Sequence, residues 1–182
     1  MSQISFAQPV NLAVGSVSLD CTGGQTITVP VTIANGTNIT AVQFTLQWDP
    51  TVLQFIPGSG QLQGVFTTPS ISPNFGESQI AIGKLTYGWI DNPGVTTGPN
   101  PATMFTVKFN VLSLAATSIS IIGNPTPIKV GQGGPPVVNQ QFTLASGDVT
   151  TGDLEPPILV CPADQTIASD NPLIINDLTP FV

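Results

Sequence analysis

The chain has 182 residues, of which 41% are hydrophobic and only 7% charged, with 18 Gly and 18 Pro. Three lysines stand against ten acids, with no Arg and no His, for a formal net charge of −7. That balance leaves almost no room for nucleic-acid binding by phosphate neutralisation or for a basic membrane patch, and it removes every catalytic set built on histidine.

The surface of such a chain must be made from Thr, Ser, Asn and Gln, because soluble domains ordinarily carry about 25% charged residues. This composition fits an extracellular β protein better than a cytosolic enzyme. No apolar run approaches the roughly 20 residues of a membrane-spanning helix, so membrane insertion is not expected.

Residues 1–11 read as an N-terminal tail. Within it, Ser5-Phe6-Ala7 before Gln8 has the small-x-small form that ends a secretory signal peptide, but the positive and long apolar regions of such a peptide are missing. A plain tail is the equal alternative. Leu12 to Leu19 offers Val14, Val17 and Leu19 for a first strand, and Thr22-Gly23-Gly24 signals a turn. Over Gln25 to Ala34, Ile27, Val29, Val31 and Ile33 alternate with Thr26, Thr28, Pro30 and Thr32, the period of a strand with one buried face. Pro30 in mid-strand places that position at a sheet edge or a bulge, since proline cannot donate to a ladder. Asn35-Gly36 is a strong turn.

From Ile39 the pattern is clearest. Val42, Phe44, Leu46 and Trp48 share one parity, and Gln43, Thr45 and Gln47 the other. Asp49-Pro50 ends the run, and Val52, Leu53 and Phe55 begin another short strand. Val65-Phe66 is expected to be a short strand, and residues 67–78 a long surface connection. Gln79 to Ile90 reads as a hairpin, with Ile80 and Ile82 on one arm, Gly83-Lys84 at the bend, and Leu85, Tyr87 and Trp89 on the other arm. Asp91 to Pro101 reads as loop. In Ala102 to Leu112, Phe105, Val107, Phe109 and Val111 alternate with polar residues. Ser118 to Ile122 is a short strand, 123–136 is irregular apart from Ile128 to Val130, and Val138 to Val149 closes the set. About nine strands and no helical period point to an all-β fold, an antiparallel β-sandwich or jelly roll, over residues 12–151.

The order of these signals resembles the bacterial cohesin domain. The matching residues are Val14-Gly15-Ser16-Val17, Thr28-Val29-Pro30-Val31, the run from Phe44 through Trp48-Asp49-Pro50 to Leu53, Phe105 to Phe109, and Gly147-Asp148-Val149-Thr150. The resemblance implies a nine-stranded jelly roll that binds a dockerin module through one sheet face. On that pattern the partner-binding face is Gln43, Thr45, Gln47, Thr86 and Gly88. Trp48 stands where many cohesins carry Tyr, and the Pro/Gly-rich insertion at 123–136 departs from the family pattern.

Residues 152–182 form a linker and an extended tail. Glu155 to Ile167 resembles the opening of a hyalin-repeat (HYR) module, an immunoglobulin-like β domain of adhesins. With Ile158, Val160, Ile167, Leu173 and Phe181 among its apolar residues, this tail has three outlets. It packs on its own domain, begins a further module, or adds a strand to a neighbouring molecule. Cys21 and Cys161 either bond to each other or leave Cys161 for a cysteine further along an HYR module. They have no CxxC partner and no histidine, so no zinc site is expected. Asp148, Asp153 and Glu155 are candidates to hold Ca²⁺, set against the plainer reading of a solvated loop, and no cofactor is expected. Trp48, Tyr87 and Trp89 would stack on a sugar if exposed, but their parity favours the core.

The leading expectation is a non-catalytic extracellular module for protein recognition or adhesion on the surface of a bacterium, with a dockerin-like partner. The alternatives are a filament subunit that uses a terminal segment as an added strand in its neighbour, and a carbohydrate-binding module for polysaccharide.

Overall fold

The structure is a computed structural model that describes residues 8–20, 24–69, 71–133 and 138–151. The expectations for Cys21, Asp153, Glu155 and Cys161, for most of the N-terminal tail and for the HYR-like segment lie outside the described residues.

Fourteen strands follow in chain order among the described residues. They are β1 (Val10–Val14), β2 (Val17–Leu19), β3 (Thr26–Ala34), β4 (Ile39–Gln47), β5 (Leu53–Phe55), β6 (Gln61–Leu62) and β7 (Phe75–Gly76). After them come β8 (Lys84–Val95), β9 (Ala102–Val111), β10 (Thr117–Ile122), β11 (Lys129–Gln132), β12 (Val138–Asn139), β13 (Phe142–Ala145) and β14 (Gly147–Thr151). The first sheet runs β13-β1-β3-β9-β5, with β6 also on β9. The second is centred on β4, which has β8 along one flank and β10 and β11 along the other; β14 and β2 extend it beyond β10, β12 beyond β11, and β7 lies on β8. All pairs are antiparallel except β1 with β13 and β2 with β14.

Those two parallel pairs come from the first and last stretches of the sandwich, each of which changes sheet midway. The first crosses at Gly15-Ser16 and the last at Ser146. A Cβ on Gly147 would run into the Gly15 carbonyl, so the crossing needs a residue without a side chain. Pro30 sits just beyond the last β1 pair, Val14 with Val31, and beside a register shift between Val31 and Thr32. Gly15, just past β1, still donates its N–H to the Pro30 carbonyl at 2.8 Å, so the proline costs the ladder only the return bond from its missing N–H, at the end of the β1 pairing.

The period-two pattern places the core between the sheets. Phe44, Tyr87 and Trp89 from the second sheet and Phe105 and Phe109 from the first are at most 1% exposed. Tyr87 and Phe105 meet across the interface with ring centroids 4.4 Å apart, and Trp48 packs edge-on against Phe109 at 5.1 Å. Each such burial contributes roughly 1.5–3 kcal/mol.

Four local expectations are corrected. Val65-Phe66 belongs to a 3-10 turn, Gly64–Phe66, that drops Phe66 into the core against Trp89. The connection at 67–78 contains β7. Ile80 and Ile82 form a 3-10 turn instead of a hairpin arm. Gly83 ends that turn at φ 74°, where glycine is favoured, and its carbonyl accepts the Trp48 N–H at 3.0 Å. The strand after it therefore pairs with β4, and it runs on through Val95 where loop was expected. The tally of about nine was lower because the first stretch divides into β1 and β2 and the last into β12, β13 and β14, and because β6 and β7 are two-residue strands within connections.

Candidate partner-binding face

Strand β4 supplies both the core and the site, because its side chains alternate. Val42, Phe44 and Leu46 point inward and are buried, so Gln43, Thr45 and Gln47 point outward. The register of β8 sets Gly88 beside Gln43, Thr86 beside Thr45 and Lys84 beside Gln47. The five expected face residues are thus brought together on two adjacent strands.

They are not equally accessible. Gln47 is exposed, Gln43, Thr86 and Gly88 are half-buried, and Thr45 is wholly buried. Thr45 is corrected from an outward contact residue to a covered one, and the cause lies on the other flank of β4. Strand β10 pairs Ser120, Ile121 and Ile122 with Gln47, Leu46 and Thr45; β11 resumes with Lys129 opposite Gln43. The two are one strand line interrupted opposite Phe44 by residues 123–128. The interruption spans two positions of β4, about 7 Å, whereas six extended residues reach about 20 Å. The excess chain must leave the sheet plane, and it folds over β4. Thr126 N–H donates to Thr45 Oγ1 at 3.1 Å, and Gln43 Nε2 donates to the Pro127 carbonyl at 3.0 Å. A second restraint lies across the sheet, where Thr86 Oγ1 donates to the Gly76 carbonyl at 3.3 Å.

This roof divides the face in two. Toward the Gln47 end lies a polar hollow of about 420 Å³ that includes Gln47, Asp49, Thr117, Ser118 and Ser120. Thr51 donates its hydroxyl and its N–H to Asp49 Oδ1 at 2.7 and 2.8 Å, which holds that carboxyl below its ordinary range. Toward the Ala41 end lies a narrower groove of about 150 Å³ between Ile71, Gly88 and Ile90 on one wall and Lys129 and Asn139 on the other. Ile71 is 37% and Ile90 46% exposed, uncommon for side chains of that size. Another hollow, lined by Pro50, Ile56, Pro57, Ile80 and Leu112, lies at the edge of the first sheet and touches none of the expected face residues.

Lys84 was legible in the sequence, since it shares parity with Thr86 and Gly88. Lys129, Ile71, Asn139 and the roof were not, because they arrive by pairings distant in the chain. Trp48, Tyr87 and Trp89 are at most 4% exposed, so none of these rings is available to stack on a sugar. Burial raises the Tyr87 phenol, whose hydroxyl has no hydrogen-bond partner among the described residues. Asp148 is exposed on β14, its N–H donating to Ser16 Oγ at 3.1 Å. Among the described residues no group of three or more acid, Cys or His side chains is placed to hold a metal ion.

Comparison with known proteins gives a consistent result. The family model described as "Cohesin domain" matches residues 10–150. Among solved structures, the sixth cohesin of Acetivibrio cellulolyticus scaffoldin B, in complex with a mutant Cel5 dockerin, is 22% identical with a TM-score of 0.60. The match covers 80% of this chain and 100% of that one. The OlpA cohesin of Clostridium thermocellum, in complex with a dockerin, is 15% identical with a TM-score of 0.62, covering 79% and 99%. A non-cellulosomal cohesin from the archaeon Archaeoglobus fulgidus is 17% identical with a TM-score of 0.58, covering 81% and 94%. At these identities the likeness speaks to the fold. No curated protein matches the chain.

Proposed function

This chain belongs to the cohesin domain family, and we propose that it is a non-catalytic recognition module that binds a dockerin-type protein through the outer face of β4, β8, β10 and β11. One observation carries the reading. The register of β4 with β8 gathers Gln43, Gln47, Lys84, Thr86 and Gly88 on one side of a sheet whose other side is wholly committed to the core. Such a division leaves the outer side of the sheet available to a partner at no cost to the core.

The reading extends to an extracellular, cell-surface setting, supported by the sparse charge and the Thr-, Ser- and Asn-rich surface. It takes residues 155–182 as the opening of a hyalin-repeat module, supported by the sequence pattern alone.

The test is calorimetric titration of the full chain with a panel of dockerin modules, alongside the variants Gln47→Arg and Gly88→Leu. One-to-one binding by at least one dockerin, weakened at least about tenfold by either substitution, is the expected result. Absence of binding across the panel, or binding that both variants leave intact, would overturn it. Light scattering on the same samples tells one-to-one capture from self-association.

A further inference from the structure

The groove at the Ala41 end combines two properties. Its floor and one wall are apolar, with Ile71 and Ile90 partly open to solvent around Gly88. Its only charged lining residue is Lys129, which is exposed and whose ammonium, among the described residues, has no ion-pair or hydrogen-bond partner. Gln43, beside it, already spends one of its two amide N–H donors on Pro127. Asp91 follows Ile90 in the chain but does not line the groove.

A space of about 150 Å³ suits a single ring or branched aliphatic group. The missing side chain of Gly88 helps to create it. A Cβ built there meets nothing nearer than Ile71 Cδ1, at 4.0 Å, and the backbone at this position is ordinary strand. The roof over Thr45 stands between the groove and the polar hollow, so an occupant of the groove cannot lie flat along the whole of β4.

We propose that this groove is a specificity site for an acidic protein segment, one that seats an apolar side chain against Ile71, Gly88 and Ile90 and places a neighbouring carboxylate on Lys129. Charge complementarity selects the occupant. A lone cation beside an apolar cleft favours a carboxylate and disfavours a basic segment, and the interaction acts at close range because the Debye length at physiological salt is about 8 Å. Five of the ten acids belong to residues 152–182, leaving Asp20, Asp49, Glu77, Asp91 and Asp148 against three lysines in the sandwich. The sandwich therefore presents only a small net repulsion to such a segment. The proposal rests on the reading of this sheet face as the partner face, and not on the partner being a dockerin.

The probe is a display library of random linear peptides selected on the full chain, with winners measured by fluorescence polarisation. Enriched peptides are expected to carry Asp or Glu within two positions of a branched aliphatic or aromatic residue. Lys129→Glu should weaken them about tenfold, and raising NaCl from about 50 to about 500 mM should weaken them several-fold. Gly88→Leu, which fills the groove at a position that tolerates a side chain, should abolish binding. Lys108→Glu, on the opposite sheet, should leave it unchanged.

Selection of no peptides, selection of neutral or basic ones, or equal loss with Lys108→Glu would overturn the proposal. The two readings fail separately. A dockerin that loses binding with Gly88→Leu but ignores Lys129→Glu defeats the acidic-segment site and leaves the partner face standing. Acidic peptides that need Lys129, in the absence of any dockerin binding, defeat the dockerin reading and leave the acidic-segment site and its face standing.

Discussion

Thr45→Val separates the roof from the fold. Valine keeps the shape of threonine, and Phe44 and Leu46 on either side keep their places in the core. What is lost is the acceptor for Thr126 N–H at 3.1 Å, with the longer return bond to the Thr126 carbonyl at 3.5 Å. A donor left unpaired in the interior costs about 1–3 kcal/mol. Thr126 is only half-buried, so the roof can lift and give that N–H to water; the cost should stay near the low end, about 1–1.5 kcal/mol. For a chain of this length that is a fall in Tm of about 2–6 °C. The local signature is larger in relative terms. Amide hydrogen exchange at Thr126 should quicken by about tenfold, while amides of β3 and β9 exchange as before. Calorimetry and exchange-detected NMR on the pair of proteins measure both. Unchanged exchange at Thr126, or a loss above about 3 kcal/mol spread through the core strands, would mean that Thr45 supports the sandwich and that the roof is held elsewhere.

Two glycines should behave oppositely. Gly83→Ala forces a Cβ into a left-handed conformation and against the Trp48 carbonyl, so a loss of about 2 kcal/mol in urea unfolding is expected, and an unchanged midpoint would contradict it. Gly88→Ala places a Cβ on ordinary strand backbone with space around it; stability should hold or rise by about 0.5 kcal/mol, and a clear loss would show that the groove is tighter than described. Phe105→Ala removes the ring that packs on Phe44, Phe75 and Tyr87, and should cost about 3–5 kcal/mol by calorimetry; less than about 2 would place the two sheets in looser contact. Tyr87 is the only tyrosine, and burial raises its phenol. The unfolded chain then releases that proton first as the pH passes about 10. Its contribution to stability is complete below that pH, and declines above it by up to about 1.4 kcal/mol per pH unit. Tyrosinate absorbance should therefore rise together with loss of the β circular dichroism, and tyrosinate forming in a chain that keeps its native spectrum would refute the burial of the hydroxyl.

The sandwich was legible where burial alone decided the structure. In β3, β4 and β9 alternate residues carry the whole apolar load, and Trp48, Phe105 and Phe109 are inside as that period requires. The reading failed where a local pattern competed with a distant partner. Ile80 and Ile82 alternate like a strand, but Gly83 turns the chain to deliver Lys84 to β4, and the pair is left on a 3-10 turn. Residues 91–95 hold Asn, Pro and Gly and read as loop, yet the pairing of Val95 with Ile39 keeps them in the sheet through a register shift. The site divides the same way. Gln43, Thr45, Gln47, Thr86 and Gly88 follow from parity on neighbouring strands. The burial of Thr45 follows from a six-residue interruption whose position depends on β10 and β11 sharing one flank of β4, which no local pattern encodes.

That dependence explains how a fixed core can carry a variable face. The inward residues of β4 set its register with β8, β10 and β11, since a slip of one position would put Gln43 and Gln47 into the core and Phe44 and Leu46 into water. Once the register is set, the neighbours of each outward residue are set with it: Lys84 and Ser120 at Gln47, Gly88 and Lys129 at Gln43. Substitutions at these outward positions leave the alternation that fixes the strands untouched. Chain inserted between β10 and β11 need not shift the register either, because its ends are held by pairs on both sides of Phe44 while its middle is free to rise over the sheet. The length and hydrogen bonds of residues 123–128 are then the most direct means of reshaping the face. Shortening that excess to a two-residue link should uncover Thr45 and join the polar hollow to the groove. A protein with the same core would then present one continuous surface in place of two, and the calorimetric and peptide-binding measurements above would register the change in partner with little change in Tm.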